Sequence, residues 1–241
     1  MKRLSLVAAA LAAVMVCLLP GATSAYVPSP QYGAFEIKFG PYRPNVDDQP
    51  GLTGTPYATT FGKNESMFLT ELELDWQFLR FDGIISFGVG GSFGFMQEYA
   101  RSQTVSGASS NDYTVLNVMP FALLGIIRVD VLADKAGVPL VAYFKGGLNW
   151  YLWWILGAGE TQESGGTPGW QISPGLALRL DGFDRMSART FDNETGVNHS
   201  FIFFEYVFAV VEGLGQDDHM CLSPMNMGPH GTWLAGLGIE F

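Results

Sequence analysis

The chain of 241 residues is apolar and rich in glycine and aromatic residues, with 30 Gly, 18 Phe, 9 Tyr and 6 Trp. Charged residues make up 15% of it, against about 25% in an ordinary soluble domain, which excludes a disordered or highly solvated chain. Its 23 acidic and 13 basic residues give a formal net charge of -10, the wrong sign for neutralising nucleic acid phosphates.

The first 25 residues have the features of a secretory signal peptide. Lys2 and Arg3 form a positive start, residues 4–19 are uncharged and mostly apolar, and the small residues 22–25 follow. The apolar stretch is shorter than the roughly 20 residues of a membrane-spanning helix, so we expect cleavage after Ala25. The predicted mature chain, residues 26–241, is one barrel domain. It holds a single cysteine, Cys221, which excludes an internal disulfide.

Strict alternation of apolar and polar residues begins after the first long connector. In residues 68–78 the even positions are almost all apolar, and the odd positions from Glu71 to Gln77 are polar. Residues 85–95 alternate bulky apolar side chains with Gly and Ser. Because a β-strand places alternate side chains on opposite faces, these patterns predict strands. The predicted strands are residues 33–43, 67–80, 84–97, 113–130, 138–155, 170–181, 198–211 and 231–241.

The connectors between these segments alternate in length. The long polar ones are 44–65, 98–112, 156–169 and 212–230, and the short ones are 81–83 and 131–137. The last connector on the short side, 182–197, is longer and predicts a short helix around residues 186–193. Long loops on one side and short turns on the other are typical of outer-membrane barrels. We therefore predict an all-β fold, an eight-stranded antiparallel up-and-down transmembrane β-barrel with both termini in the periplasm.

The final segment has a specific ending, in which Trp233, Ala235, Leu237, Ile239 and Phe241 alternate with other residues. It resembles the last strand of bacterial outer-membrane β-barrel proteins, which ends in Phe and is read by the assembly machinery. The resemblance assigns the assembly signal to Trp233, Leu237, Ile239 and Phe241. It implies a location in the outer membrane, with membrane lipid and the barrel-assembly machinery as partners.

The wider pattern resembles a family of uncharacterised outer-membrane barrels from myxobacterial genomes. The similarity rests on residues 32–40, 151–154 and 196–199 and covers most of the mature chain. It implies the fold and the location, and the family brings no established activity or catalytic residues.

Tryptophans are predicted near the ends of the strands, as in the aromatic girdle of a membrane barrel. Trp76 falls toward the inner end of its strand. The five predicted near the outer ends are Trp150, Trp153, Trp154, Trp170 and Trp233.

If the apolar face of each strand meets lipid, the opposite face carries charges into the barrel. Eight strands enclose a space just wide enough for side chains, so such charges must pair with one another. Two interpretations remain open: a salt-bridged plug, or a narrow conduit that is partly apolar because Leu69, Phe201 and Phe203 also point inward. The predicted charge network of the lumen is Glu36, Lys38, Glu71, Glu73, Asp75, Arg128, Lys145, Arg179 and Glu205.

Two prolines, Pro120 and Pro174, fall inside predicted strands. A closed barrel has no free edge where the missing N–H is harmless. We therefore expect a bulge, or a strand that rises beyond its neighbours, at each of them.

Catalytic chemistry is not predicted. His199, Ser200 and Glu205 are residue types that hydrolases combine, but neighbouring residues of a strand point to opposite faces. Glycine-rich residues 88–94 have no following helix to bind a phosphate. The connector 216–230 contains His, Met and Cys donors that suit copper(I), yet their spacing matches no fixed motif and they equally suit a contact surface. We predict no enzyme activity, no cofactor and no metal.

The expected function is therefore that of a structural or surface-interaction protein with a largely plugged lumen. Connectors 44–65 and 212–230 are the expected contact surfaces. The alternative is a narrow porin-like channel for ions or small molecules, hydrophobic ones included. Nucleic acid is excluded as a partner, and the sequence identifies no extracellular one.

Overall fold

A computed structural model gives the protein eight β-strands, and it describes residues 29–81, 84–103, 109–157, 160–216 and 219–241. The predicted signal peptide lies outside these residues, as do positions 82–83, 104–108, 158–159 and 217–218 of the predicted connectors. The strands are β1 (Gly33–Tyr42), β2 (Met67–Phe81), β3 (Ile85–Gln103), β4 (Ser109–Val129), β5 (Leu140–Gly157), β6 (Glu160–Arg179), β7 (His199–Val210) and β8 (Gly231–Glu240).

The strands form one closed antiparallel barrel. Each strand pairs with its neighbours in sequence, and β8 returns to pair with β1 from Ala34↔Glu240 to Phe39↔Ala235. Closure leaves no strand edge along the wall of the barrel, which is the condition for crossing a bilayer with β-structure. The predicted fold is confirmed.

Burial alternates along the strands, with polar side chains inside the barrel and apolar side chains on its outer surface, as a membrane requires. In β2 the polar parity is buried inside the barrel, while Leu74 and Trp76 are 59% and 60% exposed on the outside. A protein in water buries its apolar face, whereas the lipid-facing band of a membrane barrel is apolar. The polar side chains of β2 therefore line the lumen.

β3, β4 and β6 are several residues longer than predicted, whereas β5 has the predicted length of 18 residues and is displaced by two. β3 and β4 have 19 and 21 residues, and β5 and β6 have 18 and 20, against the roughly 9 to 11 that cross a bilayer. The prediction that residues 98–112 and 156–169 are loops is therefore wrong for most of both segments. These four strands continue past their neighbours as a sheet, termed the extension, whose residues are 96–103, 109–118, 153–157 and 160–165.

The two prolines interrupt the hydrogen-bonded ladder without ending a strand. Pro120 keeps its pairing with β5, while residues 94–95 of β3 opposite it have partners on β2 but none on β4. Pro174 likewise pairs with β5, and residues 173–174 lack partners on β7. The register is the same on both sides of each gap, so local gaps take the place of the predicted bulges.

Short helices lie in the connectors. They are a single 3-10 turn (Val46–Asp48), α1 (Pro56–Thr60), α2 (Val131–Asp134) and α3 (Arg185–Thr195). The helix predicted around residues 186–193 is confirmed as α3. Its first turn is capped by the Asp184 carboxylate, which accepts hydrogen bonds from the Met186 and Ser187 amides at 3.1 Å. None of the helices in the described part of the chain is long and apolar enough to cross a membrane.

The last long connector folds back across the mouth of the barrel. Residues 220–225, termed the mouth strap, are held by backbone hydrogen bonds. The Asn45 amide donates to the Ser223 carbonyl at 3.0 Å, and the Leu222 amide donates to the Val211 carbonyl at 2.8 Å. Leu222 is fully buried, so this part of the predicted contact surface 212–230 faces the interior.

Cys221 of the mouth strap is expected to resist thiol reagents while the barrel is folded. Its side chain is buried, and burial, with a smaller contribution from the Glu212 carboxylate, raises the pKa of the thiol to about 11. At about pH 8 this lowers the thiolate fraction by roughly a hundredfold from that of an ordinary cysteine. The measurement is the rate of a colorimetric disulfide reagent with folded and with urea-unfolded protein.

The matched control is Met227→Cys in a Cys221→Ser background, because Met227 lies in the same connector but is 48% exposed. We expect rapid reaction at this position in the folded protein. Equal rates for Cys221 and the control would show that the mouth strap does not shield the thiol.

Candidate functional site

Two buried lysines lie among carboxylates in the lumen. The Lys38 ammonium donates to Glu73 Oε2 at 2.7 Å and to Glu205 Oε1 at 2.9 Å. The Lys145 ammonium donates to Glu36 Oε2 at 2.6 Å and also to Glu73. Glu73 therefore bridges both lysines, and almost no surface of these five side chains is accessible to water.

The register of the strands produces this arrangement. Glu36 lies directly opposite Glu73, and Lys38 lies opposite Glu71, across the β1–β2 pair. Directly opposed side chains of an antiparallel pair point to the same face, so all four enter the lumen together. Lys145 reaches them from β5, on the far side of the barrel.

The cluster contains more acids than bases. Glu71 lies 3.6 Å from the Lys38 ammonium, and Asp75 lies 3.9 Å from the Lys145 ammonium, with no hydrogen-bond partner on either oxygen of Asp75. Five carboxylates thus face two ammonium groups, a formal excess of three negative charges. The members of this lumen cluster are Glu36, Lys38, Glu71, Glu73, Asp75, Lys145 and Glu205.

Three of these carboxylates approach one another closely enough to share a cation. Oxygens of Glu36, Glu73 and Asp75 lie within 4.8 Å of one another, the one such group among the residues that the structure describes. The Lys145 ammonium is within 4.0 Å of all three. It therefore already supplies a positive charge at the place where a metal ion would bind.

The two predicted arginines lie in a second group, apart from the lysines. Arg128 pairs with Glu240 at 2.5 Å, and its guanidinium lies 5.2 Å from the centre of the Phe201 ring. Arg179 donates to Asp130 at 2.8 Å and to Asp134 at 2.5 Å. The single predicted network is thus two networks.

Sequence reasoning missed the acids of this second group. Glu240 continues the inward parity of Gly236 and Gly238 in β8, and Asp130 follows Arg128 at a spacing of two. Both signals were present in the sequence. The inward orientation of Glu240 was missed because the residue lies beside the assembly signal. That of Asp130 was missed because the residue lies at the end of a predicted strand.

An apolar layer fills the end of the lumen that the mouth strap covers, next to the charged cluster. The hydroxyl of Tyr42 donates to the Leu222 carbonyl of the mouth strap, which closes the layer from outside. Of the three apolar residues predicted to point inward, Leu69 lies in this layer, whereas Phe201 and Phe203 are buried in a separate apolar cluster. The extent of the layer was not predicted. Its buried residues on the strands and the strap include Tyr42, Met67, Leu69, Met96, Leu116, Val118, Tyr151, Val207, Leu222 and Leu234.

Three residues assigned to the assembly signal, Trp233, Leu237 and Ile239, lie on β8, and Phe241 directly follows it. Trp233 stacks on Phe204 of β7 with ring centres 5.9 Å apart, and Leu237 is exposed on the lipid-facing side. The Phe241 carbonyl accepts hydrogen bonds from the Tyr32 and Gly33 amides at 2.7 Å. Recognition of this strand by assembly machinery stays a prediction.

One member of the predicted aromatic girdle points the wrong way. Trp150 and Trp170 are 50% and 38% exposed on the outside. Trp153 instead packs against the apolar layer, because it shares the inward parity of Tyr151. The prediction that Trp153 belongs to the girdle is therefore wrong.

The hydrolase-like residues are not brought together. Asp181, rather than Glu205, contacts His199, with Nδ1 of the ring 2.6 Å from a carboxylate oxygen. The Ser200 amide also donates to Asp181, while Glu205 lies in the lumen cluster and accepts from Tyr143 at 3.2 Å. The Ser200 hydroxyl also lies 3.5 Å from Asp181, so Asp181, and not Glu205, joins His199 and Ser200 at the end of the barrel opposite the mouth strap.

Fold and lumen together define the class: a small transmembrane β-barrel of the bacterial outer-membrane type, with an interior filled by its own side chains. The chain is similar to the outer membrane protein OprG from Pseudomonas aeruginosa, with a TM-score of 0.51 and 11% identity over 89% of this chain and 97% of the other. Ail, the attachment invasion locus protein of Yersinia pestis, gives a TM-score of 0.45 and 12% identity over 89% and 100% of the two chains.

Neisserial surface protein A gives a TM-score of 0.43 and 10% identity over 89% of this chain and 98% of the other. At such identities the likeness shows the fold alone. No family model and no curated protein matches the sequence, so the similarity to a myxobacterial family stays a prediction.

Proposed function

We propose that this protein is a closed anchor in the outer membrane that presents its outer end to other molecules. The proposal includes removal of residues 1–25 and places both termini in the periplasm. It is supported by the apolar exterior of the strands and by the outer-membrane type of the fold. The end that carries the extension and the mouth strap is then the extracellular end.

Closure of the lumen is the observation that carries this proposal. Lys38, Glu73 and Lys145 join β1, β2 and β5 across the lumen and have at most 1% of their surface accessible to water. The apolar layer and Leu222 lie above them. A conducting pore needs a continuous wet path, and the burial of the described side chains in both layers supports a lumen without one.

The outer end is acidic, which bears on its partners. Its described segments contain eight acidic and three basic side chains, a formal excess of five negative charges. An acidic surface attracts cationic partners and repels anionic ones. The acids are Asp47, Asp48, Glu65, Glu98, Asp112, Glu160, Glu163 and Glu212, and the bases are Arg43, Lys63 and Arg101.

Single-channel recording tests the closed lumen directly. Refolded protein is inserted into planar bilayers, and insertion is confirmed by the faster migration of unboiled protein on a gel. We expect a folded, inserted and electrically silent barrel, while a known porin in the same bilayers gives discrete steps. Regular openings of the inserted protein would overturn the closed anchor, and failure to insert would overturn the membrane location.

A narrow cation-selective conduit is the second candidate function. It is favoured by buried polar atoms without a hydrogen-bond partner at Gln77, Asn149 and Asp75, because such groups bind water or ions where space permits. It predicts openings whose preference for cations weakens in Glu73→Gln. The same recordings therefore decide between the two functions.

A further inference from the structure

The extension has two edges, and they differ in how well they are covered. On the β3 side, β2 pairs only as far as Phe95 and α1 packs against the strand beyond it. On the β6 side, β7 pairs only as far as Trp170. The connector before β8 then covers residues 167–168, where Thr167 Oγ1 donates to the Met220 carbonyl at 2.9 Å and Gly213 donates to the Pro168 carbonyl at 3.0 Å.

Residues 160–166 of β6 lie beyond that cover. They pair with β5 on one side, and no described backbone group pairs with their other side. Natural proteins usually protect such an edge with Lys, Pro or a covering segment, since its N–H and C=O groups accept another strand. Residues 160–166 contain neither Lys nor Pro, and the edge is protected only by the acids Glu160 and Glu163 and by the extra residue Gln162, which has no partner on β5.

Tryptophan rings brace this edge from both faces. A side chain at Gly165 would meet the Trp153 ring at 2.7 Å, and one at Gly166 would meet the Trp150 ring at 2.7 Å. Because Trp153 points inward and Trp150 outward, one ring covers each face of the strand. Aromatic cover of edge glycines is a means of holding a strand in register, so the open edge is also an ordered one.

The acidic side chains of this edge share one face. The β5–β6 register shifts between Ile155 and Leu156, which places Glu160 opposite Gly157 and Glu163 opposite Ile155. Directly opposed residues share a face, and Gly157 and Ile155 are two positions apart. Glu160 and Glu163 therefore point to the same side of the sheet, where they repel a second copy of the same edge and attract basic residues.

We propose that residues 160–166 of β6 accept an extended, basic segment of another protein as an added strand. Backbone hydrogen bonds hold the segment, as in other cases of strand addition. Glu160 and Glu163 select alternate Lys or Arg side chains in it. This inference rests on the proposed function, because it requires the extension to lie outside the cell.

Binding of short synthetic peptides to the refolded full barrel in detergent micelles tests the edge. The probe is a labelled peptide of alternating lysine and valine, compared with a glutamate–valine peptide and with a lysine peptide that carries proline at alternate positions. We expect the lysine–valine peptide to bind at least about tenfold more tightly than either. Hydrogen exchange of the amides in residues 160–166 should slow when it binds.

Charge variants separate strand addition from general attraction to an acidic end. Glu160→Lys with Glu163→Lys should weaken binding by about tenfold or more. The matched control, Asp48→Lys with Glu65→Lys, makes the same change of charge away from the edge and should weaken it much less. Equal losses in both variants, or equal binding of the proline peptide, would overturn the proposal.

A second measurement distinguishes failure of the edge from failure of the proposed function. In intact cells, an impermeant thiol reagent should label a Ser164→Cys variant if the extension is extracellular. Peptide binding in micelles without labelling in cells would overturn the orientation in the proposed function. Labelling without strand-specific binding would overturn the inference about the edge alone.

Discussion

Replacing Lys145 by methionine is expected to lower the free energy of unfolding by about 3 to 5 kcal/mol. The Lys145 ammonium holds Glu36 and Glu73 and lies 3.9 Å from Asp75. Methionine fills a similar volume but leaves Asp75 without a neighbouring ammonium group and leaves Glu36 and Glu73 with Lys38 alone. Urea unfolding in lipid vesicles, followed by tryptophan fluorescence, measures the change.

Two comparisons assign that loss to the charge. Lys135→Met removes a lysine from an exposed position after α2 and should change stability by no more than about 0.5 kcal/mol. Adding Glu73→Gln to Lys145→Met removes one opposing charge and should recover part of the loss. Unchanged stability in Lys145→Met would show that the lumen cluster does not depend on this ion pair.

Gly147→Val is expected to prevent the barrel from closing, with a loss of at least about 3 kcal/mol. A side chain at Gly147 would overlap the carbonyl oxygen of Leu123 and lie 2.9 Å from the α-carbon of Leu124 on β4. Backbone of a neighbouring strand cannot move aside as a flexible side chain does, so β4 and β5 would separate. The unboiled variant should then run on a gel at the position of unfolded protein.

Gly91→Val provides the matched control on β3. The nearest atom that its side chain would meet is the Ala122 carbonyl oxygen at 4.0 Å, and the residue is exposed on the outer face. Valine suits a strand that faces an apolar environment, so this variant should fold as the parent does. If both glycine variants fold equally well, close approach of β4 and β5 is not what requires Gly147.

Period-two alternation was sufficient to predict the strand order and the class of the barrel, because a lipid-facing strand must alternate. It failed in residues 98–103, 109–112, 156–157 and 160–165, where the extension continues past the ends of β2 and β7. Polar residues there resemble a loop, since neither lipid nor lumen selects one face. The alternation pattern therefore could not predict how far β3, β4, β5 and β6 continue past the other strands.

Parity also predicted which charges enter the lumen, but not which of them meet. The bridging position of Glu73 depends on the height of β5 relative to β2, and that follows from the register of intervening strands. The apolar layer was missed for a related reason. Inward apolar residues such as Leu116 and Val118 lie among outward apolar ones, so the two faces of β4 are alike in sequence.

The mouth strap has a consequence for the order in which the barrel is assembled. Its bonds join Asn45, just past the end of β1, to Ser223, just before β8, so the two partners are far apart in the chain. Such contacts form late, because the ends of a long segment must first be brought together. The mouth strap therefore forms only when assembly of the barrel is complete. A chain whose final strand has not docked has an open mouth, and the shielding of Cys221 marks the fully assembled barrel.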